Sequence, residues 1–191
     1  VWMDNHNIHW KIKGGLMNVG KMEGEKVAVI LPSYNSLKTI DRAISSVVNQ
    51  SYKNWVLYII DDCSVDGSYD YINEKYNNPK IKHIKNNVNL GAAQTRNAGI
   101  NFSKEPILAF IDSDDEWLPE KLEIQVKSLS SGNNMVVTAY NYIRNEAESV
   151  FVSYKKNKLT KNDFLKNKFR ICFSSLLLHR RDGVFFESIG H

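Results

Sequence analysis

Apolar runs alternate with amphipathic stretches between residues 27 and 130. Four runs predict strands, at 27–31, 55–60, 81–85 and 106–111, and the first and the last of them predict buried strands. After most of these runs the apolar residues recur every three or four positions, which is the spacing of an amphipathic helix. Strand and helix therefore alternate, and this order predicts an α/β fold with a mostly parallel central sheet covered by helices on both faces.

The predicted helices differ in the strength of their pattern. The second is short, at 69–76, and the third spans about 92–102. The fourth has Pro119 in its first turn, where proline is tolerated, and buries Leu122, Val126 and Leu129. The first is the clearest, because its apolar residues all fall on one face: Leu37, Ile40, Ala43, Ile44, Val47 and Val48.

The pattern changes after residue 132. Segments 135–143, 149–154 and 171–179 predict strands, and a capping box at 160–163 opens a helix between them. The first two dozen residues show no period. We predict three parts: an N-terminal extension of uncertain order at 1–25, a regularly alternating half at 26–118, and a smaller mixed half at 119–191 that is truncated at its C-terminal end.

Composition narrows the classes of function. The chain has 191 residues, 42% of them hydrophobic, and a formal net charge of +4. So mild a charge, without zinc-finger spacing or an RNA-binding aromatic motif, does not favour a nucleic-acid binder. The two cysteines, Cys63 and Cys172, lie far apart, and reduced thiols in a cytoplasmic protein are the simplest interpretation. No apolar stretch reaches the roughly 18 residues of a membrane helix, and the first residues lack the apolar region of a signal peptide.

One stretch is strongly basic. Residues 155–181 hold nine Lys or Arg and one acid, Asp163, so their net charge is nine minus one, or +8. Two interpretations remain open. Such a stretch is most often a solvated face, and the alternative is contact with an anionic membrane or a phosphate-bearing substrate. Contact with a membrane would make the protein peripheral at its inner face.

Polar clusters follow all four predicted strands, at 32–35, 61–62, 87–96 and 112–116. In an open parallel sheet, ligands bind outside the carboxyl ends of the strands, so these clusters predict one shared site. Neither G-x-G-x-x-G nor G-x-x-x-x-G-K-[ST] occurs, which leaves no backbone cradle for phosphate. The D-x-D pair Asp112 and Asp114 instead suits Mn²⁺ or Mg²⁺, which takes one or two carboxylates and lets substrate phosphates complete its coordination.

Three segments carry a resemblance to a known family: 27–68 (VAVILPSYNSLKTIDRAISSVVNQSYKNWVLYIIDDCSVDGS), 89–100 (NLGAAQTRNAGI) and 107–126 (ILAFIDSDDEWLPEKLEIQV). Together they resemble the donor-binding half of family 2 glycosyltransferases, which have the GT-A fold and use nucleotide-sugar donors. The resemblance runs from about residue 27 to 129. It implies that 26–118 binds the donor and that 119–191 faces a carbohydrate or lipid-linked carbohydrate acceptor, as in polysaccharide synthesis.

The resemblance also implies roles for single residues. Asp62 resembles the carboxylate that accepts the uracil N3–H, and Arg96 matches a basic position near the nucleotide. In the D-x-D motif, Asp114 resembles the metal ligand, while Asp112 resembles the aspartate linked to the ribose or the metal, with Ser113 beside it at the nucleotide. The loop along the nucleoside comprises Pro32, Ser33 and Tyr34.

An inverting transfer also needs a general base. In the family this is an acid of the second half, and the resemblance places it beyond His191. Glu187 is only a weak candidate, so the catalytic base stays unknown.

Several residues also have ordinary structural interpretations. Asp115 and Glu116 are typical of acids at a helix start, and Trp117 of a core residue or pocket wall. Two rival functions remain: a non-catalytic nucleotide-sugar binding module, and a nucleotidyltransferase. The second would need a Gly-rich, basic loop after the first strand, which residues 32–36 do not provide.

Overall fold

The computed structural model describes residues 24–145, 148–153 and 171–180. Four units alternate first: strand β1 (Val27–Ser33), helix α1 (Ile40–Val48), β2 (Trp55–Asp61), α2 (Ser68–Lys75), β3 (Ile81–Lys85), α3 (Ala92–Phe102), β4 (Ile107–Phe110) and α4 (Lys121–Ser130). Strands β5 (Met135–Val137), β6 (Tyr140–Asn145) and β7 (Glu148–Val152) follow, and a 3₁₀ turn, Phe173–Ser175, leads into β8 (Leu176–His179).

One six-stranded sheet organises the molecule, in the order β3-β2-β1-β4-β8-β5. The first four strands are parallel, as predicted, and β1 pairs with β2 along its whole length, from Val27 opposite Trp55 to Ser33 opposite Asp61. The order reverses beside β1, because the chain moves outward to β3 and then returns to place β4 on the other side. The strand ends around this reversal form what we call the carboxyl edge, where open α/β sheets bind ligands.

Helices cover both faces of the sheet, which confirms the predicted α/β class. On one face, α1, α2 and α4 pack on Val29, Leu31 and Leu57. On the other, α3 packs on Ile30 and Ile60. Helix α3 can approach the sheet closely because Gly99 has no Cβ. A Cβ at this position would lie only 2.5 Å from Cγ2 of Ile30.

The second half of the chain joins the same sheet. Strand β8 pairs antiparallel with β4, with Leu177 opposite Ala109, and β5 pairs antiparallel with β8. Because β8 runs against β4, its first residue and the preceding 3₁₀ turn lie at the carboxyl edge. Strands β6 and β7 form a separate antiparallel pair.

Some boundaries differ from the predicted ones. Leu37 is not on the buried face of α1, since it precedes the helix and is 41% exposed. Its N–H donates to the side chain of Asp66 at 2.9 Å. Pro119 lies before α4, which begins at Lys121.

Two predicted strands are shorter than expected. Segment 135–143 breaks at Thr138, whose N–H donates to the carbonyl of Ser175, so β5 and β6 enter different sheets. In segment 171–179, only Leu176–His179 forms a strand.

Several predictions fall outside the described residues. These are the extension up to residue 23, the capping box at 160–163, Glu187, and most of the basic stretch 155–181. Within the described residues, no helix combines the length and the apolar character needed to cross a bilayer.

Candidate donor and metal site

The four predicted polar clusters meet at the carboxyl edge. The loops after β1 and β2 are joined by a reciprocal pair of hydrogen bonds: the N–H of Asn35 donates to Oγ of Ser64, and the N–H of Val65 donates to Oδ1 of Asn35. Asn35 and Cys63 both have positive φ, at 47° and 67°. Non-glycine residues in this region carry strain, and such strain is concentrated at functional sites.

The predicted nucleoside loop, residues 32–34, is partly buried. Pro32 and Ser33 end β1 inside the sheet, and the Ser33 hydroxyl is hydrogen-bonded to that of Ser36 at 2.7 Å. Tyr34 is exposed beside them. An exposed ring beside a buried turn provides a surface on which a planar base can stack.

Asp62 lies where β2 meets the loop between β3 and α3, and is 3% exposed. Its Oδ1 accepts from Nδ2 of Asn86 at 2.8 Å and from the N–H of Leu90 at 2.9 Å. Its Oδ2 accepts from the N–H of Gly91 at 2.8 Å. A carboxylate has about four lone-pair sites, so three internal bonds leave room for one further donor. Asp62 therefore fixes the start of α3 whether or not it reads a base.

Arg96 and Asp112 join α3 to the segment after β4. Nη2 of Arg96 lies 2.5 Å from Oδ1 of Asp112, and the guanidinium stacks on the ring of Phe173, 4.3 Å from its centroid. Arg96 is 7% exposed. Arg96 is buried and Asp112 is partly exposed, so the arginine anchors the Asp112 side chain at the carboxyl edge from the protein interior.

Residues 112–117, here called the acidic loop, begin with a turn in which the N–H of Asp115 donates to the carbonyl of Asp112 at 3.1 Å. Ser113 and Asp114 occupy its middle and are partly exposed. The carbonyl of Asp114 accepts from Arg42 of α1 at 2.6 Å. Its carboxylate has no hydrogen-bond or ion-pair partner among the described residues, so it is available to a cation.

Asp115 is not a helix-start acid, which corrects the expectation from the sequence. Its Oδ2 accepts from the hydroxyl of Ser174 and lies 3.8 Å from Sγ of Cys172. Burial raises the pKa of the Asp115 carboxyl, and the charges of Asp112 and Asp114 raise it further. Helix α4 begins only at Lys121, so Glu116 also lies before the helix, exposed and 3.8 Å from Nε of Arg42.

A buried polar cluster lies beneath the acidic loop. Trp117 is core, as one interpretation of the sequence predicted, and its Nε1 donates to the carbonyl of Ser174 at 2.7 Å. Nζ of Lys121 lies 3.9 Å from the Trp117 ring centroid and donates to Gln125 at 2.6 Å. Burial lowers the pKa of Lys121 to about 7. These residues fix the floor of the loop.

The carboxylate oxygens at this site are of the kind that Mn²⁺ and Mg²⁺ bind. The carboxylates of Asp114 and Asp112 offer hard oxygen atoms, and these ions bind one or two carboxylates together with substrate phosphates. No group of three or more His, Cys, Asp or Glu arranged for a metal occurs within residues 24–145, 148–153 and 171–180. A site with two carboxylates binds such an ion firmly only when substrate phosphates complete the coordination of the ion.

The sequence did not reveal three residues of the site: Phe173, Ser174 and Arg42. Ser174 and Arg42 contact the acidic loop, and Phe173 contacts Arg96. Phe173 and Ser174 come from a segment that reads as a plain strand. Arg42 is an exposed residue of α1. Nothing in the order of residues pairs them with positions about 60–80 residues away.

Known proteins are similar to this chain in sequence. UDP-Glc:alpha-D-GlcNAc-diphosphoundecaprenol beta-1,3-glucosyltransferase WfgD of Escherichia coli is 38% identical over 147 residues, which cover 76% of this chain and 57% of that protein. Putative teichuronic acid biosynthesis glycosyltransferase TuaG of Bacillus subtilis (strain 168) is 31% identical over 161 residues, covering 82% and 64%. This chain thus spans about three fifths of these relatives' length.

Solved structures share the fold. The crystal structure of S. aureus TarS superposes with a TM-score of 0.53 at 26% identity, over 59% of this chain and 21% of that one. The mannosyltransferase PcManGT from Pyrobaculum calidifontis, solved with GDP-Man and Mn²⁺, superposes with a TM-score of 0.52 at 19% identity, over 63% and 36%. Both likenesses support the GT-A fold expected from the sequence.

A family model described as glycosyl transferase family 2 matches residues 28–185, which include all eight strands except Val27, the first residue of β1. The resemblance seen in the sequence is therefore confirmed, and the chain belongs to glycosyltransferase family 2.

Proposed function

We propose that this chain belongs to a glycosyltransferase that moves a sugar from a UDP-sugar to a hydroxyl of a lipid-linked carbohydrate, with residues 26–118 binding the donor and residues 119–191 facing the acceptor. The observation that supports this most directly is the acidic loop at the carboxyl edge. There Asp112 is fixed by Arg96, while the Asp114 carboxylate has no partner among the described residues. Asp112, Asp115 and Glu116 have partners within the protein, so a cation and a diphosphate account best for the remaining carboxylate, that of Asp114.

The binding residues take distinct roles in this proposal. Tyr34 stacks on the base, Pro32 and Ser33 shape the pocket floor, and Asp62 offers its remaining lone pair to the uracil N3–H. Arg96 orients Asp112 toward the ribose, with Ser113 beside it. Asp114, with the second oxygen of Asp112, would hold Mn²⁺ or Mg²⁺, which when bound supplies charge neutralisation for the leaving diphosphate.

The relatives' names support the choice of donor and acceptor. WfgD is named for UDP-Glc and for an acceptor linked to diphosphoundecaprenol, and TuaG for teichuronic acid biosynthesis. Transfer with inversion requires the acceptor hydroxyl to attack opposite the leaving diphosphate, and a carboxylate to remove its proton. Glu187 lies outside the described residues, so the base is left unassigned. An acceptor carried on a lipid would place the reaction at a membrane surface.

The test is a transfer assay with the purified protein. UDP-glucose, UDP-N-acetylglucosamine and GDP-mannose are each offered with Mn²⁺ and a lipid-diphosphate-linked N-acetylglucosamine acceptor. We expect transfer from a UDP-sugar, and NMR of the product should show the inverted anomeric configuration. Donor binding without turnover would favour the binding-module alternative. Failure of every nucleotide-sugar to bind would contradict the proposal.

A further inference from the structure

Ser174 connects the second half of the chain to the acidic loop. It lies on the 3₁₀ turn before β8 and is 7% exposed. Its Oγ accepts from the N–H of Asp112 at 2.9 Å and donates to Oδ2 of Asp115. Its carbonyl accepts from Nε1 of Trp117 at 2.7 Å. One buried serine thus bonds to the first, fourth and sixth residues of the loop.

Ser174 therefore holds the acidic loop on both sides of Ser113 and Asp114. Asp112 is held on its side chain by Arg96 and on its backbone by Ser174. Asp115 is held by Ser174, and its own N–H closes the turn back to Asp112. Asp114 lies between these two fixed positions. The backbone position of Asp114 is therefore set by the contacts of its neighbours and by the bond from Arg42 to its own carbonyl.

The neighbouring residue shows that this role is specific. Ser175 is also a buried serine, 2% exposed, on the same 3₁₀ turn. Its hydroxyl donates to the carbonyl of Cys172, within its own turn. The two serines are alike in burial and differ in what their hydroxyls bind.

We propose that Ser174 is a positioning residue that holds the acidic loop ready for the metal and the donor diphosphate. This inference rests on the proposed function. Repulsion among the four acids would otherwise spread the loop, and ordering it at each binding event would weaken affinity. Ser174 acts through Asp112 and Asp115 and touches neither the ion nor the donor. Residues around metal ligands typically contribute about 10-fold to 100-fold in metal affinity.

The experiment compares Ser174→Ala with Ser175→Ala. In the metal-free protein, NMR hydrogen exchange of the Asp112 amide reports the bond to Ser174 directly. We expect faster exchange at that amide in Ser174→Ala, with no change in Ser175→Ala. With UDP present, Mn²⁺ affinity measured by electron paramagnetic resonance should fall about 10-fold or more in Ser174→Ala only. UDP affinity without metal should fall less than Mn²⁺ affinity in Ser174→Ala, because Arg96 still holds the Asp112 side chain, and it should be unchanged in Ser175→Ala.

Three outcomes decide the matter. If wild type shows no Mn²⁺ binding with UDP, the proposed function is wrong and the role of Ser174 falls with it. If wild type binds Mn²⁺ and Ser174→Ala binds it equally well, only the role of Ser174 is wrong. An equal loss in Ser175→Ala would also overturn it, since packing would then be the cause. Should Ser174→Ala fail to fold, Ser174→Cys, which keeps nearly the same volume and weakens the hydrogen bonds, serves in its place.

Discussion

Arg96 on α3 donates a 2.5 Å hydrogen bond to Oδ1 of Asp112, while the Phe173 ring packs on its guanidinium. The pair joins the helix after β3 to the loop after β4, across the point where the strand order reverses. Two loops that are remote in the sequence are thereby fixed relative to each other. The geometry of the proposed donor site depends on this contact.

Replacing Arg96 measures how much this contact stabilises the folded protein. Arg96→Ala leaves Asp112 without its partner and should lower the free energy of unfolding by about 1.5–3 kcal/mol, the range for hydrogen bonds to charged groups. Arg42→Ala is the control, because Arg42 also contacts the acidic loop but is exposed, and it should cost about 1 kcal/mol or less. Denaturant titration measures both. Equal losses would show that burial of the Arg96–Asp112 pair has no special effect.

Asp62→Asn separates a structural from a recognition role. An amide places an N–H₂ where a carboxylate oxygen now accepts from Asn86, Leu90 or Gly91, so stability should fall by about 1.5–3 kcal/mol. If Asp62 also reads the uracil N3–H, the preference for UDP over CDP should shrink by about 10-fold or more in calorimetry.

Asp66→Asn is the matched control for Asp62. Asp66 also accepts backbone N–H bonds, from Leu37 and Ser68, in a neighbouring loop. It should lose stability without changing the ratio of UDP to CDP affinity. A wild-type protein that binds UDP and CDP equally would show that Asp62 has only the structural role.

Gly99 links the packing of α3 to the site. A Cβ there would meet Ile30 at 2.5 Å and Ile60 at 3.2 Å, and both side chains are fully buried. We expect Gly99→Ala to cost about 1–3 kcal/mol through overpacking. Because α3 carries Arg96, the variant should also weaken UDP binding. Thermal unfolding measures the first effect and calorimetry the second. Unchanged stability would mean that α3 can shift away from Ile30 and Ile60 without an energetic cost.

The sequence predicted the parallel part of the sheet well, because β1, β2 and β4 are buried apolar runs followed by polar residues. The edge strand β3 is only partly buried and contains both apolar and polar residues. The sequence also located Asp112 and Asp114, since an acid cluster after a core strand is unusual. It failed where a contact in space decides the structure. Leu37 fits a helical period, but a bond to Asp66 holds it in a turn. Asp115 resembles a helix-start acid, and only the antiparallel return of β8 brings Ser174 to it.

Lys121 should make stability depend on pH. Burial lowers its pKa from 10.5 to about 7. Between these values the unfolded chain binds more protons than the folded protein, so Lys121 makes stability rise as pH increases from about 7 to 10. Lys121→Met should remove that part of the rise and be most stabilising, relative to wild type, at pH 6–7. Denaturant titrations of both proteins at pH 6, 7.5 and 9 measure it. Parallel pH profiles would mean that Lys121 keeps an ordinary pKa in the folded protein.

The metal-dependent part of UDP binding tests the central claim most directly. Isothermal calorimetry with UDP, with and without Mn²⁺, is run on wild type, Asp114→Asn and Glu116→Gln. Glu116 is the control, because it is an exposed acid of the same loop that pairs with Arg42. The account predicts that Mn²⁺ strengthens UDP binding in wild type and in Glu116→Gln. It predicts no such gain in Asp114→Asn, with the melting temperature kept. Undiminished Mn²⁺-dependent affinity in Asp114→Asn would contradict it.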